Sequence, residues 1–400
     1  MTGKAVEKIR AIRDEMKETF LERADVVEGI ILALISKQHV FLVGPPGTAK
    51  SMVAERACKK TGGRHFYALI TRFSTPESVL GPISVKGLKE DNYRRITDGY
   101  LPDCEVASID EIFKGSASLL NAMNSILNTG ERKMANGREV IDVPLVTLVA
   151  SSNEIPTDEA ELLCVYDRFL FRYVTPYIAE PGHFRELLKM KEGAGEKMNM
   201  TMDDLKTLQD EAGEIEVGDD IIEKMLTIRE NLNVEGVVAS DRRWRESLSV
   251  LRARALVEGR DRVEDEDLEV LANILWTTMD GDEIRTVAKT VLSVANPELE
   301  RIKDLELMAR EAYERAMSAQ READKFTPGE ESDEARDARR KALEVGIDAQ
   351  ASIKRGMLAD MESVVEEAQE KGKNIERLEG SVQSVRGLLK EINKKVMGEL

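Results

Sequence analysis

The chain has 400 residues, with Lys+Arg 58 against Asp+Glu 75 and a formal net charge of −17. That length exceeds what one hydrophobic core usually serves, so two or three domains are expected, and the acidic balance disfavours a protein whose main work is gripping phosphate backbones. Cys58, Cys104 and Cys164 are odd in number and lack C-x-x-C spacing, which indicates neither a disulfide framework nor a zinc site.

Two helices come first. Val6, Ile9, Ile12, Met16 and Phe20 recur at helical spacing over residues 2 to 20. A second helix, Ala24 to Ser36, feeds the apolar strand Phe41-Leu42-Val43. That strand runs straight into Gly44, Pro45, Pro46, Gly47, Thr48, Ala49, Lys50, Ser51 and Met52. A loop of this composition points backbone N–H groups at nucleotide phosphates, and the following helix adds its positive N-terminus. In that reading Lys50 reaches the β- and γ-phosphates, and the Ser51 hydroxyl coordinates Mg²⁺. A Gly/Pro-rich surface turn is the plainer alternative. Ala49 stands where the strict pattern G-x-x-x-x-G-K-[ST] has glycine, and its methyl is tolerable if the local φ is negative.

Ile83 to Leu88 and Tyr93 to Thr97 flank the turn-rich Lys89 to Asn92 and read as a hairpin. Val106-Ala107-Ser108-Ile109 reads as a short buried strand, ended by Asp110 and Glu111. Adjacent carboxylates there need a cation or a mechanism, because unpaired burial of charge is costly. In a nucleotide site Asp110 orders the Mg²⁺ hydration shell and Glu111 polarises a water against the γ-phosphate. A helix N-cap pair is the alternative. Arg132 to Met134 and Arg138 to Ile141 flank Asn136-Gly137, a strong hairpin signal. A third strand, Leu145 to Ala150, ends in Ser151-Ser152-Asn153; Asn153 could hold the attacking water through its amide, or be an ordinary turn residue.

Strands and helices alternate to about Val174, which predicts a mostly parallel sheet with helices on both faces. Ligands of such sheets bind at the carboxyl ends of strands, and Lys50, Asp110 and Asn153 all sit just past strand ends. Pro176, Pro181 and Gly182 break the chain, and residues 183 to 280 read as helices only. In the last third, Ile302, Leu305, Ala309, Ala312, Ala316, Ala319, Ala323 and Phe326 keep a 3-4 heptad spacing, stopped by Thr327-Pro328-Gly329. A charged helix from Ser332 to about Lys371 follows, with Ala335, Ala338, Ala342, Val345 and Ala349 in a similar stripe. Ile375, Leu378, Val382, Val385, Leu389, Ile392 and Val396 repeat the spacing. The first two helices suggest an antiparallel pair; whether the third pairs inside the chain or with another protein is left open by the pattern.

In this order the segments resemble an AAA+ ATPase module, specifically the MoxR family of the helix-2-insert group, over roughly residues 20 to 280. Gly44 to Ser51 are similar to Walker A, Val106 to Glu111 to Walker B, and Asn153 to the sensor-1 residue. Tyr166-Asp167-Arg168-Phe169 is similar to the arginine-finger segment, and Ser240-Asp241-Arg242-Arg243-Trp244 to the sensor-2 helix start. Thr71 to Glu77, Asp98 to Pro102 and Ala49 look most like the RavA (regulatory ATPase variant A) branch. Ser108, a hydroxyl in a strand usually apolar, departs from the pattern, and Arg242 and Arg243 leave the sensor-2 register open.

The resemblance implies that Arg168 reaches a neighbouring subunit's ATP, against the alternative of a structural pair with Asp167 or another acid. It implies a helical lid, in which Ser240 is an N-cap and Arg242 could reach the γ-phosphate rather than being a surface charge. It makes the two hairpins the helix-2 insert and the hairpin before sensor 1, not surface decoration. A homo-oligomer, as a hexameric ring, and a protein client, with a von Willebrand factor A-domain protein among the expected partners, follow from the same source.

The expected fold is therefore α/β: a P-loop AAA+ core with a parallel sheet sandwiched by helices over residues 1–180, an all-helical lid over 181–280 and a helical coiled-coil extension over 281–400. His39, His65 and His183 lack metal-ligand neighbours and read as buried or surface histidines. No apolar run approaches the roughly 20 residues of a membrane span, and the N-terminus lacks a signal peptide's layout, so a cytoplasmic protein is expected. The expected activity is Mg²⁺-dependent ATP hydrolysis coupled to remodelling of a protein client. A nucleic-acid motor and an ATP-gated scaffold with little turnover are the rival readings.

Overall fold

The computed structural model describes residues 2–155, 160–190, 199–327, 332–371, 373 and 375–398. The chain divides into two compact units, Met1–Val291 and Leu292–Leu400.

In the first unit, helices α1 (Thr2–Thr19) and α2 (Ala24–Ser36) precede the sheet. The strands are β1 (His39–Val43), β2 (His65–Leu69), β3 (Val106–Asp110), β4 (Lys133–Asn136), β5 (Glu139–Asp142), β6 (Thr147–Ser152) and β7 (Phe169–Val174). Five of them form a parallel sheet in the order β2-β3-β6-β1-β7. Every residue of β1 and β6 is buried, as expected of strands covered on both faces. The stripe Val6, Ile9, Ile12, Met16 and Phe20 is buried along α1. Phe41 sits centrally in an aromatic cluster, with ring centroids 5.3 Å from Phe113, 5.4 Å from Tyr166 and 5.8 Å from Phe169.

The two expected hairpins have different outcomes. β4 and β5 pair antiparallel, and Gly137 carries the positive φ (71°) of the turn. The earlier segment is not a hairpin. Val85–Lys89 is a short helix, and only the isolated bridge between Ile83 and Arg95 remains of the expected ladder. Ser84 accepts the Gly87 N–H at 3.1 Å and caps that helix. Val85 and Leu88 are both exposed, so no buried face favours a strand there.

After β7 the first unit continues through helices Pro181–Leu187, Met202–Glu214, Asp219–Val234 and Asp241–Val257 and a 3₁₀ helix, Asp265–Asn273. An isolated bridge between Glu216 and Arg262 is a small exception to the helix-only expectation.

The second unit contains the helix Pro297–Ala323, a long helix running from Asp333–Ala351 through a π-helical turn (Ser352–Met357) into Leu358–Glu370, and the helix Glu376–Lys395. Ile302, Ala309, Ala312, Ala316, Ala349, Leu378, Val382, Val385 and Ile392 lie in one shared core. The third helix therefore packs within the chain, which the heptad pattern had left open. The expected stop at Pro328-Gly329 lies outside the described residues.

Candidate active site

β1 delivers the loop of residues 44–49 to α3 (Lys50–Lys59). Gly44 is required by close approach, since a Cβ there would lie 2.3 Å from the Thr175 carbonyl oxygen. The Thr48 side chain is buried and donates to Pro45 O at 3.0 Å, whereas Pro46 and Gly47 face solvent. Met52, taken with the loop, turns its side chain outward, 64% exposed. Ala49 does not meet the condition of a negative φ: it is left-handed, with φ 65°. A Cβ in that region costs about 1–2 kcal/mol, so the loop holds a strained alanine where glycine would be relaxed.

Lys50 is buried, and its Nζ donates to Gly44 O at 2.7 Å, Pro45 O at 2.9 Å and Asn153 Oδ1 at 3.3 Å. Burial lowers its proton affinity first; the Asp110 and Glu111 carboxylates oppose that, and the Arg23 charge adds to it. Ser51 Oγ donates to Asp110 Oδ2 at 2.8 Å, and Ser151 Oγ donates to Asp110 Oδ1. Glu111 is also left-handed, φ 55°, which turns its carboxylate back over the strand ends. Its Oε1 accepts the Asn153 amide at 2.6 Å, and its Oε2 lies 3.3 Å from Lys114 Nζ. Asn153 thus spans the amine and the carboxylate, its oxygen towards Lys50 and its nitrogen towards Glu111.

The sheet brings Lys50, Ser51, Asp110, Glu111 and Asn153 together. An Asp carboxylate beside a serine hydroxyl is an all-oxygen donor pair, fit for Mg²⁺, which keeps waters and takes one or two protein ligands plus phosphate oxygens. Among the described residues no group of three or more His, Cys, Asp or Glu is placed to hold a metal.

Arg168 and Arg242 are elsewhere. Phe169 pairs with His39 at the amino end of β1, so Arg168 lies at the sheet edge opposite the loop. The length of β1 separates the two edges, roughly 13 Å at about 3.3 Å per residue. Arg168 donates to Asn124 Oδ1 at 3.0 Å and Asn128 Oδ1 at 3.4 Å, and burial, followed by the Arg242 charge, lowers its proton affinity. Asp167 is taken by other partners: Ser240 Oγ at 3.1 Å, Arg242 Nη1 at 3.2 Å and Arg243 Nε at 3.1 Å. Ser240 caps its helix by accepting the Arg243 N–H. The buried Arg243 also donates to Trp276 O at 3.3 Å and Thr277 Oγ1 at 3.2 Å, whereas Arg242 stays half-exposed. Arg243 is thus the buried partner of Asp167 that holds the corner, and Arg242 pairs with the same carboxylate from the solvent side.

Three further residues contribute to the site: Ser151, Lys114 and Arg23. Ser151 was visible as a hydroxyl at a strand end, and Lys114 as a cation three residues after Glu111, eclipsed with it in the 3₁₀ turn Ile112–Lys114. Arg23 donates to Thr48 O at 3.3 Å but is 25 residues away, so no local signal marks it. Ser108, the odd hydroxyl of β3, meets His65 Nε2 at 2.9 Å, and His39 Nδ1 accepts the Leu148 N–H at 3.0 Å. Both histidines serve the sheet.

The family model of the MoxR domain in the MoxR-vWA-beta-propeller ternary systems matches residues 7–212, and that of an AAA lid domain matches residues 220–291. Two uncharacterized proteins of Methanocaldococcus jannaschii are similar: one is 37% identical over 74% of this chain and 77% of its own length, the other 35% identical over 72% and 76%. The chaperone MoxR1 of Mycobacterium tuberculosis is 27% identical over 65% of this chain and 72% of its own. A crystal structure from Cytophaga hutchinsonii, 16% identical, shares the fold with a TM-score of 0.59 over 74% of this chain and 96% of that one.

Replacing Ala49 by glycine removes the left-handed strain at the expense of a more flexible unfolded chain, so Ala49→Gly should raise stability by about 0.5–1 kcal/mol in urea denaturation. Arg243→Ala should lose about 3 kcal/mol, because Asp167 loses its buried partner. Arg242→Ala should stay within about 1 kcal/mol. Equal losses for the two would contradict the division of labour between them.

Proposed function

The chain belongs to the MoxR family of AAA+ ATPases, and from that premise we propose that it hydrolyses ATP to ADP and phosphate in a ring that remodels a protein client. The observation that carries this reading is the convergence of Lys50, Ser51, Asp110, Glu111 and Asn153 within hydrogen-bonding reach of one another at one sheet edge. Loop amides of residues 47–51 and the Lys50 ammonium hold the phosphates, displacing the lysine from the Gly44 and Pro45 carbonyls. Ser51 and Asp110 would hold Mg²⁺, which supplies charge neutralisation at the phosphate oxygens. Glu111 takes the proton of the attacking water, and Asn153 orients that water once its amide leaves the Glu111 carboxylate.

Arg168 completes the site of a neighbouring subunit. Its position at the edge opposite its own loop supports action in trans, and Arg242 beside Asp167 belongs to the same face. An arginine of this kind contributes about 10³–10⁵ in rate in related NTPases. A ring, hexameric by family resemblance, provides that geometry. Residues 1–180, 181–280 and 281–400 serve as nucleotide-binding core, lid and extension, and the helical extension is the docking element for the client. The description of the matched family favours a von Willebrand factor A-domain protein as partner. Placement in the RavA branch rests on Ala49 and the segments around Phe73 and Tyr100 alone. No helix among the described residues is long and apolar enough to cross a membrane, which fits a cytoplasmic location. The net charge of −17 weighs against a nucleic-acid motor. The intact Lys50–Asn153–Glu111 network weighs against a non-hydrolysing scaffold.

Glu111→Gln should retain Mg-ATP binding by calorimetry while steady-state phosphate release falls by about 10²–10⁴-fold; retained turnover would refute the base role. Neither Arg168→Ala nor Lys50→Ala should turn over alone, yet an equimolar mixture should regain activity. A mixture that stays inactive would remove the trans assignment.

A further inference from the structure

We propose that Glu22 and Arg23 form a strap tying the state of the phosphate loop to residues 176–183, with Arg23 a positioning residue for hydrolysis. The inference rests on the nucleotide-site reading above and assigns the route by which that site reaches the segment leading to the later helices.

The two residues occupy the turn between α1 and α2. The Arg23 side chain is buried, with the residue only 5% exposed, and its guanidinium bonds go to backbone carbonyls of three segments. Nε donates to Thr48 O at 3.3 Å inside the phosphate loop, Nη1 to Glu22 O at 2.7 Å, and Nη2 to Pro176 O just past β7. Glu22 reaches the other way. Its carboxylate accepts the Ala179 and Glu180 N–H groups, both at 2.9 Å, and meets His183 Nδ1 at 3.1 Å. Two consecutive side chains thereby fasten residues 176, 179, 180 and 183 to the loop that would hold the phosphates.

The backbone supports the reading. Glu22 is left-handed, φ 56°, a conformation that persists in a non-glycine residue only where its surroundings over-determine it. The same two segments also meet directly, since Thr175 N–H donates to Val43 O at 2.7 Å and the Thr48 and Thr175 hydroxyls lie 3.3 Å apart. Electrostatics adds a reason for nucleotide dependence. Arg23 carries its charge behind the loop, where it acts against the Lys50 ammonium. Phosphates arriving at Lys50 take over its N–H donors and release the Gly44 and Pro45 carbonyls, so the loop and its Thr48 carbonyl can shift. Arg23 carries the shift to Pro176. The planar guanidinium spreads its donors over three nitrogens in a fixed fork, whereas a lysine ammonium offers one nitrogen on a flexible stem and cannot keep the same three carbonyls at the same spacing.

The test is hydrogen–deuterium exchange of the full chain over residues 176–190, with and without saturating Mg-ADP, beside calorimetry and steady-state kinetics with ATP. Wild type should show an exchange difference of at least about threefold in that segment. Arg23→Lys should bind Mg-ADP yet lose the difference, with kcat down about tenfold or more and KM little changed. Glu22→Gln keeps the Arg23 fork and should at least halve the exchange difference, which keeps the test usable if Arg23→Lys misfolds. Retention of the full difference in a folded variant overturns the strap. So does a wild-type chain that binds Mg-ADP without any response at 176–190. A wild type with no magnesium-dependent uptake of nucleotide sinks the site reading and the strap together, and calorimetry tells that outcome apart.

Discussion

Register in the parallel sheet is the constraint on which the candidate site depends. β1 pairs β6 with Val43 opposite Ser152, and β3 pairs β6 with Ile109 opposite Ala150. Adjacent strands lie about 4.8 Å apart, so groups leaving their carboxyl ends meet within side-chain reach. Burial on both faces leaves β1 and β6 without the polar alternation that usually selects a register. Polar groups supply it instead. His39 accepts the Leu148 N–H, the Thr147 hydroxyl donates to Ala33 O at 3.1 Å, and Gly44 N–H donates to Ser152 O at 3.2 Å. Each would leave a buried donor or acceptor unpaired if the strands slipped.

The opposite edge is held by a different chemistry. Arg172, fully buried on β7, donates to Phe169 O at 3.2 Å, Tyr166 O at 3.2 Å and Trp276 O at 2.9 Å, with its guanidinium 3.9 Å from the Tyr166 ring centroid. Burial pushes its proton affinity down to about 9. Arg243 shares the Trp276 carbonyl and neutralises Asp167. These two buried cations lock the start of β7 to the irregular segment at Trp276 that follows the 3₁₀ helix, beside Arg168 and Arg242. Sheet polarity therefore separates the groups that face the chain's own loop from those that face away. On that separation rests the proposal that Arg168 acts on a neighbouring copy.

The second unit follows simpler rules. Alanines at Ala309, Ala312 and Ala316 let the helices approach closely, and larger residues such as Met361, Val364 and Val385 fill the remaining space. Where the long helix passes through the π-helical turn at Ser352–Met357, its apolar stripe moves relative to the partners, and Ile353 and Leu358 still reach the core. Much of the charge on these helices is outward. The carboxylate of Glu298 is an exception, buried and held down at about 2 by hydrogen bonds from Lys373 and Lys371, against the opposing penalty of burial.

Local chemistry encodes the glycine- and proline-rich loop after an apolar strand, the acid pair at Asp110 and Glu111, Asn153 after the third strand, the Asn136-Gly137 turn and the heptad stripes, and all of these are legible in the chain itself. Their order implied an alternating α/β core with one site at the strand ends, because a parallel sheet sends every strand end to the same edge. Only in the folded chain are the left-handed backbone at Ala49, the helical state of Val85–Lys89, the burial of Arg243 rather than Arg242 against Asp167, the placing of the third C-terminal helix and the grip of Arg23 on Thr48 settled. Each of these turns on partners far apart along the chain, and neither propensity nor spacing carries information about which distant group will fill a given space.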